Sequence, residues 1–350
     1  TPRIDFTNNT DGHLLLEPAR TNLFSYSEDF ENQWNVQSGI TITNNTTETT
    51  SPSGEYNASK VASTDSTKGF SKTGMSITAN ATRTIYLKGS VGGESVTLKD
   101  GSGNGGTETY SLTTNWVRYE LKTTADGNTY QGLFVDNISV GTIYAYGAQI
   151  EEGAYPTSYI PTSGATATRS DDFLQRLNTG ADLGQKEGTV MVSIASGPED
   201  VGSSNNCEIL NFNRSTSNSI QFSKTSGQYK VHGYYEPGAS QVNQVNCGSV
   251  QNDIKMAATY KNGKYVVYAD GVEKLSTSTW VWTPTVAINY LAFNQGGYVV
   301  GGQGAIRLKS LQINKEFFSD DQLIRLTGTL GTHFFESYAS MAGALTYTIQ

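Results

Sequence analysis

Arg83–Ser90 reads RTIYLKGS and Trp116–Lys122 reads WVRYELK. In the first, Ile85 and Leu87 alternate with Tyr86 and Lys88. In the second, Val117, Tyr119 and Leu121 alternate with Trp116, Arg118 and Glu120. Successive side chains of a strand point to opposite faces, so each segment predicts a strand with one buried face. A third run, Ile143–Ile150 (IYAYGAQI), is apolar or aromatic on both faces, which predicts a central strand or a strand lying under a ligand.

Around these segments, from Asn22 to about Ile160, short β-rich runs recur between clusters of Gly, Asn, Asp and Ser, the pattern of an antiparallel sandwich. Tyr155–Ser170 (YPTSYIPTSGATATRS) then reads as a linker, because Pro156 and Pro161 disfavour helix and its small polar residues offer little to bury. A second β-rich block starts at Gly188 and runs to Ile313. Its clearest hairpins are Lys261-Asn262-Gly263-Lys264 and Asp270-Gly271, since Asn-Gly and Asp-Gly supply the positive φ that tight hairpins require. Leu14-Leu15-Leu16 inside the polar stretch Thr1–Arg20 predicts an arm that adds one strand to a neighbouring sheet. Helix signals are confined to the end: Ser319-Asp320-Asp321 caps a helix through Leu326. Phe335, Tyr338, Ala339, Ala342 and Leu345 repeat at helical spacing and offer a stripe for the chain's own domain or for a neighbouring subunit. The expected division is an arm at 1–21, a first sandwich at 22–165, a second at 166–328 and a helical tail at 329–350.

Composition agrees with strands and turns: 350 residues include 37 Gly and 20 Tyr, and only 16% are charged. A net charge of −8 argues against nucleic acid or anionic membrane as partners, since both need clustered Lys and Arg. No apolar run approaches the roughly 20 residues that cross a bilayer, so membrane insertion is not expected. The chain starts at Thr1 without Met or a charged-then-apolar leader, which reads as a processed product or, preferentially, as a piece of something longer. Cys207 and Cys247 are too few for a disulfide framework and lack zinc spacing. They read as two reduced buried thiols, with a bridge as the alternative.

Motifs of catalysis are missing. His13, His232 and His333 show no metal-ligand spacing, no serine sits in a GxSxG elbow, and GSGNGG at Gly101–Gly106 has no following helix and reads as a hairpin loop. Glycoside cleavage needs two carboxyl groups about 5–10 Å apart across one bond. The acidic pairs here, such as Glu28-Asp29 and Glu151-Glu152, are adjacent in sequence and read as turns, caps or cation ligands. No enzyme is expected. Sugars, by contrast, stack their CH faces on aromatic rings while amides and charged groups bond the hydroxyls. Candidate rings are Trp34, Trp116, Trp280 and Trp282, Tyr86 with Lys88, Tyr144 with Tyr146, and Tyr234 with Tyr235. For Trp116 and Trp282, burial in a sandwich core is the competing reading.

Three stretches carry a resemblance. Thr1–Phe30 (TPRIDF, LLLEPARTNL, YSEDF) and Gly147–Arg169 (GAQIEEGAYPTSYIPTSGATATR) resemble the opening strand and the closing strand with linker of a carbohydrate-binding-module-like jelly roll in bacteriophage tail-fibre, head-fibre and other receptor-binding proteins. Lys255–Glu273 with Gly304–Leu326 is similar to laminin-G-like, concanavalin A-like sandwiches, and SYASMAGALTY resembles the C-terminal tail of such phage proteins. The resemblance implies an all-β chain of two antiparallel β-sandwiches, a jelly roll and then a concanavalin A-like lectin or laminin-G-like domain, with a short helical tail. It implies a virion fibre or spike protein that binds cell-surface polysaccharide for host recognition or adhesion. Such a protein is assembled in the bacterial cytoplasm, displayed on the virion surface, joined to other virion proteins and trimeric. No cofactor is required, although jelly-roll relatives hold a structural calcium for which Glu28 and Asp29 are the candidates. Rival readings are a purely structural decoration or spacer protein, a polysaccharide depolymerase and a secreted bacterial adhesin.

Overall fold

The computed structural model describes residues 3–6, 12–77, 79–101, 106–123, 131–172, 174–177, 183–197, 207–212, 219–234, 241–284, 288, 290–293 and 304–328. It is built of antiparallel sheets and divides into two compact units, Ala19–Asp171 and Thr1–Pro18 together with Asp172–Gln350. The division falls at 18/19 and 171/172, where the sequence suggests 21/22 and 165/166.

In the first unit, one five-stranded sheet has the order Val117–Thr123, Ala81–Gly89, Gly141–Glu152, Ser59–Ser63, Ile40–Thr43. The other has the order Thr107–Ser111, Ser95–Lys99, Gln131–Asp136, Phe70–Met75, Asn35–Val36. Alternation decides what meets between them. Ile85, Leu87, Leu121, Ile143, Ala145 and Val61 from one sheet pack on Val96, Leu98, Leu133, Val135 and Phe70 from the other. One end of the core is closed by Phe24, Phe30, Trp34 and Phe70, whose ring centroids lie 4.9–5.8 Å apart. Phe30 begins a four-residue helix, Phe30–Gln33, that the sequence reading does not foresee.

The opening and closing segments of this sandwich are clasped by buried polar groups. Asn22 donates through Nδ2 to Ala148 O (3.2 Å) and Ile160 O (2.8 Å), and its Oδ1 accepts from Phe24 N and Ile150 N. Fully buried Glu151 accepts from Gln149 Nε2 (2.7 Å), Thr157 N (2.8 Å) and Thr157 Oγ1 (2.6 Å), with Arg20 Nε 3.8 Å away. The stretch read as a spacer therefore buries Tyr155, Thr157 and Ile160 against its own sandwich.

In the second unit, a seven-stranded sheet has the order Arg3–Asp5, His13–Leu16, Ile306–Asn314, Glu187–Ala195, Ile254–Lys261, Lys264–Ala269, Val272–Thr277. The chain's first strands thus extend this sheet. A six-stranded sheet follows, with the order Leu174–Leu177, Tyr290–Phe293, Cys207–Phe212, Ser219–Thr225, Gln228–Tyr234, Gln241–Ser249. The two Asx-Gly turns are hairpins, and Gly263 (φ 84°), Asp270 (φ 47°) and Gly271 (φ 77°) take the left-handed backbone those turns need. The helix Asp320–Thr327, opened by a Ser319–Gln322 capping box, lays Leu323 on Met191, Ala257, Val266 and Tyr268. The tail at 329–350 lies outside the described residues. Cys207 and Cys247 are buried and no disulfide joins them. Two strands separate theirs, so about 14 Å of sheet, three spacings of about 4.8 Å, stands against the Cα separation of about 4.4–6.8 Å that a bridge requires. Burial pushes the Cys247 thiol up to about 12.

Candidate functional site

The strand Gly141–Glu152 is the middle of its five-stranded sheet, and its parity sends Ile143 and Ala145 inward and Tyr144 and Tyr146 outward. Across the ladder Tyr146 pairs with Tyr86, Tyr144 with Lys88 and Lys60, and Arg118 with Tyr86, so these side chains share the outer face. Arg118 donates to Thr157 O (2.5 Å) and Thr84 Oγ1 (2.8 Å), and its guanidinium lies 5.6 Å from the centre of the Tyr86 ring. The polar segment Asn44–Asn57 crosses this face. Glu48 binds Lys60 Nζ (2.5 Å) and the Tyr144 hydroxyl (2.8 Å) through its two oxygens, Lys88 Nζ donates to Thr49 Oγ1 (2.9 Å), and Trp116 Nε1 donates to Thr50 O (2.8 Å). These bonds from Lys60 and Tyr144 hold the Glu48 carboxyl below its ordinary range, while burial, then Glu48, raises the Tyr144 phenol.

Tyr159, from the closing segment, completes the cluster: its ring centroid is 5.6 Å from Tyr146 and 6.4 Å from Tyr86. Its hydroxyl donates to Glu28 Oε1 (2.9 Å), and a 2.6 Å bond joins it to Ser27 Oγ. Burial pushes this phenol far up, the Ser27 bond counters that, and Glu28 adds to the rise. Beside it opens a cavity of about 250 Å³ lined by Glu28, Asp29, Asn32, Asn44 and Asn45. That is below the usual range for ligand clefts, about 300–1,000 Å³, and holds part of a sugar rather than a whole oligosaccharide. Tyr56, 58% exposed, stands on the same loop next to Asn57, whose Nδ2 donates to Glu28 Oε2 (3.5 Å). Carboxylates and amides that converge on a recess, with rings beside it, have the chemistry to bond hydroxyls and stack on CH faces.

The candidate residues separate by burial. Tyr86, Lys88, Trp116 and Tyr144 are partly exposed and gathered on one face, and Tyr146 lies beneath Tyr159 and the loop. Trp34 (5% exposed) is core, its Nε1 donating to Tyr26 O, and Trp280 and Trp282 (1% and 2%) are the centre of the second core. A ring enclosed on all sides offers no face to a sugar, which removes these three from the set. Tyr234 is partly exposed on the six-stranded sheet, its hydroxyl donating to Gln221 Oε1 (3.3 Å) and its ring parallel to His232. Tyr235 lies outside the described residues. Asn32, Asn44 and Asn45, which the sequence reading leaves out, are three of the five lining residues, and Asn57 and Tyr159 bond Glu28. The trace of Asn44, Asn45 and Asn57 in the sequence is a long polar loop holding one tyrosine, and Asn32 and Tyr159 come from other segments.

Calcium takes six to eight oxygens at about 2.3–2.6 Å. Asp29 Oδ1 instead accepts three N–H groups, Asn32 N (3.2 Å), Asn32 Nδ2 (2.9 Å) and Asn44 Nδ2 (2.6 Å), and Glu28 is committed to Tyr159 and Asn57. Among the described residues no three His, Cys, Asp or Glu side chains gather to hold a metal. In the structure the pair Glu28 and Asp29 serves a helix cap and an amide network.

No protein-family model matches the chain, and no curated protein matches it. Among solved structures it is similar to the CBM40 module of the Ruminococcus gnavus IT-sialidase (16% identity, 42% of this chain and 85% of that one, TM-score 0.31). It is also similar to that module bound to α2,3-sialyllactose (16%, 44% and 98%, TM-score 0.32). A third is the binding domain of botulinum neurotoxin serotype D/C (11%, 45% and 40%, TM-score 0.37), of which the matched part is well under half. At these values neither residue nor ligand transfers to this chain.

Proposed function

We propose that this chain is a non-catalytic recognition protein that binds cell-surface glycans through the outer face of its first β-sandwich, as the distal part of a bacteriophage fibre. The observation that carries the glycan reading is the recess of Glu28, Asp29, Asn32, Asn44 and Asn45, whose Glu28 bonds the hydroxyl of Tyr159 in the ring cluster with Tyr86 and Tyr146, while exposed Tyr56 stands on the loop that follows Asn45. Absence of turnover is supported by the engagement of Glu28 and Asp29, the two carboxylates that line the recess, each already bonded to neighbours. The fibre reading, with the virion surface as its location and other virion proteins as partners, rests on the resemblance of the opening and closing segments. One shallow sugar site binds at about millimolar, only about 4 kcal/mol. A homotrimer presenting three sites would raise avidity by about 10² or more, which makes assembly part of the mechanism.

Binding of the full chain to an array of bacterial surface polysaccharides tests this. Tyr56→Ala and Asn45→Ala, both exposed, should each weaken the bound signal about tenfold, equivalent to about 1.4 kcal/mol; the melting temperature stays unchanged in Tyr56→Ala and falls slightly in Asn45→Ala, where alanine at the left-handed φ of 54° costs about 1 kcal/mol. A chain that binds no polysaccharide on the array fits the second reading, a virion spacer, which the burial of Trp34, Trp280 and Trp282 favours.

A further inference from the structure

The segment that builds the recess and its rim, Thr21 to Ser59, contains five carboxylates, Glu28, Asp29, Glu31, Glu48 and Glu55, and neither lysine nor arginine. Two of the five line the cavity, and a third, Glu31, reaches it through Asn44, whose backbone N–H donates to Glu31 Oε2 (3.0 Å). The remaining lining groups are neutral amides. The cations around the cavity are occupied: Lys72 by Gln33 O (2.7 Å), Lys60 by Glu48, Lys88 by Thr49 and the Tyr144 ring at 5.8 Å, Arg118 by Thr157 O, Thr84 and the Tyr86 ring.

Carboxylate and sulfate groups are recognised by charge-assisted bonds from Arg or Lys, and like charges brought together cost affinity. Here an acidic sugar would meet carboxylates within about one Debye length, roughly 8 Å at physiological salt, and no cation in the lining. A neutral sugar meets oxygens that accept from hydroxyls and amide groups that donate to or accept from them. We infer that this recess takes an uncharged saccharide and turns away sugars bearing carboxylate or sulfate. The inference rests on the glycan reading above and narrows it to one chemical class.

Affinity electrophoresis of the full chain through gels of neutral polymers (mannan, dextran, xyloglucan) and acidic ones (alginate, hyaluronan, polysialic acid), at low and physiological salt, tests it. At least one neutral polymer should retard the chain with an apparent Kd about tenfold or more below that for any acidic polymer, and Asn45→Ala should raise that Kd about tenfold. Glu55→Lys, at an exposed position of the Asn44–Asn57 loop, should raise retention by acidic polymers at low salt only. Retention by an acidic polymer that Asn45→Ala removes would overturn the charge inference and leave the glycan reading standing. Retention by neutral polymers that Asn45→Ala and Tyr56→Ala leave intact would place the sugar elsewhere and overturn it as well. No retention by any polymer would overturn the glycan reading itself.

Discussion

The rings on the outer sheet face of the first sandwich and the tryptophans of the second core meet opposite fates. In the first, Tyr86, Trp116 and Tyr144 stay at the surface, each tied by a polar edge to a neighbour: Arg118 on the Tyr86 face, Thr50 O at the Trp116 nitrogen, Glu48 at the Tyr144 hydroxyl. In the second, Trp280 stacks on Tyr265 at 4.4 Å and Trp282 tilts on Tyr260 at 4.3 Å, all four buried. The difference teaches that the type of ring does not decide its role. Parity within a strand does so for Tyr86 and Tyr144, whose even positions face out while Ile85, Leu87 and Ile143 face in. Trp280 and Trp282 lie outside any strand, where parity has no hold and the available core volume decides.

The strongest way to break this contrast is to remove a ring from the second core. Trp280→Ala should destabilise its sandwich by about 3–5 kcal/mol, seen as a lower urea midpoint, with glycan affinity unchanged. If the variant is as stable as the parent, Trp280 does not carry the core. In the first sandwich stability sits in the clasp instead. Asn22→Ala leaves two buried N–H groups and two carbonyls without their amide partner and should cost about 3 kcal/mol in the same measurement.

The second sandwich also carries a histidine-linked pH response, whereas the first contains no histidine. Burial pulls the His232 imidazole down to about 4 from its ordinary 6.5, with Lys230 adding to the shift. The unfolded chain therefore binds this proton first as pH falls. The stability is complete above about 6.5 and is lost between about 6.5 and 4, by about 2–3 kcal/mol. His232→Asn should flatten that window in urea titrations taken across it, and a parallel loss in both proteins would assign the response to other groups. Smallest of all is the expected effect of calcium: adding the ion or a chelator should leave the melting temperature of the first sandwich unmoved, because Asp29 already caps the helix Phe30–Gln33.

How far the sequence shows these differences follows from the same physics. The alternation in RTIYLKGS places Ile85 and Leu87 in the core and Tyr86 and Lys88 outside, and IYAYGAQI occupies the centre of its sheet. Yet Arg83 shares the inward parity and is fully buried, its charge met by Gly132 O, Thr123 and Gln131, contacts made by residues about 40 or more positions away. Val117, at the start of its strand, is 37% exposed although its parity points inward, because the core ends before it. The recess is the least legible part. It joins Glu28 and Asp29 to Asn44 and Asn45 and brings Tyr159 back across 131 residues to Glu28, and no local pattern encodes such a meeting. The asparagine-rich loop looks like any solvated turn until the fold sets it beside the helix cap.

The central claim is that recognition belongs to the recess and ring face of the first sandwich. Titrating the isotope-labelled full chain with oligosaccharides cut from a polysaccharide it binds, and following backbone amide shifts, tests it most directly. The expected result is perturbations concentrated at 28–32, 44–57 and 86, saturating near millimolar and shifted to about tenfold higher concentration in Asn45→Ala. Shifts centred on the six-stranded sheet around Gln221, His232 and Tyr234, with residues 28–57 unmoved, would contradict it.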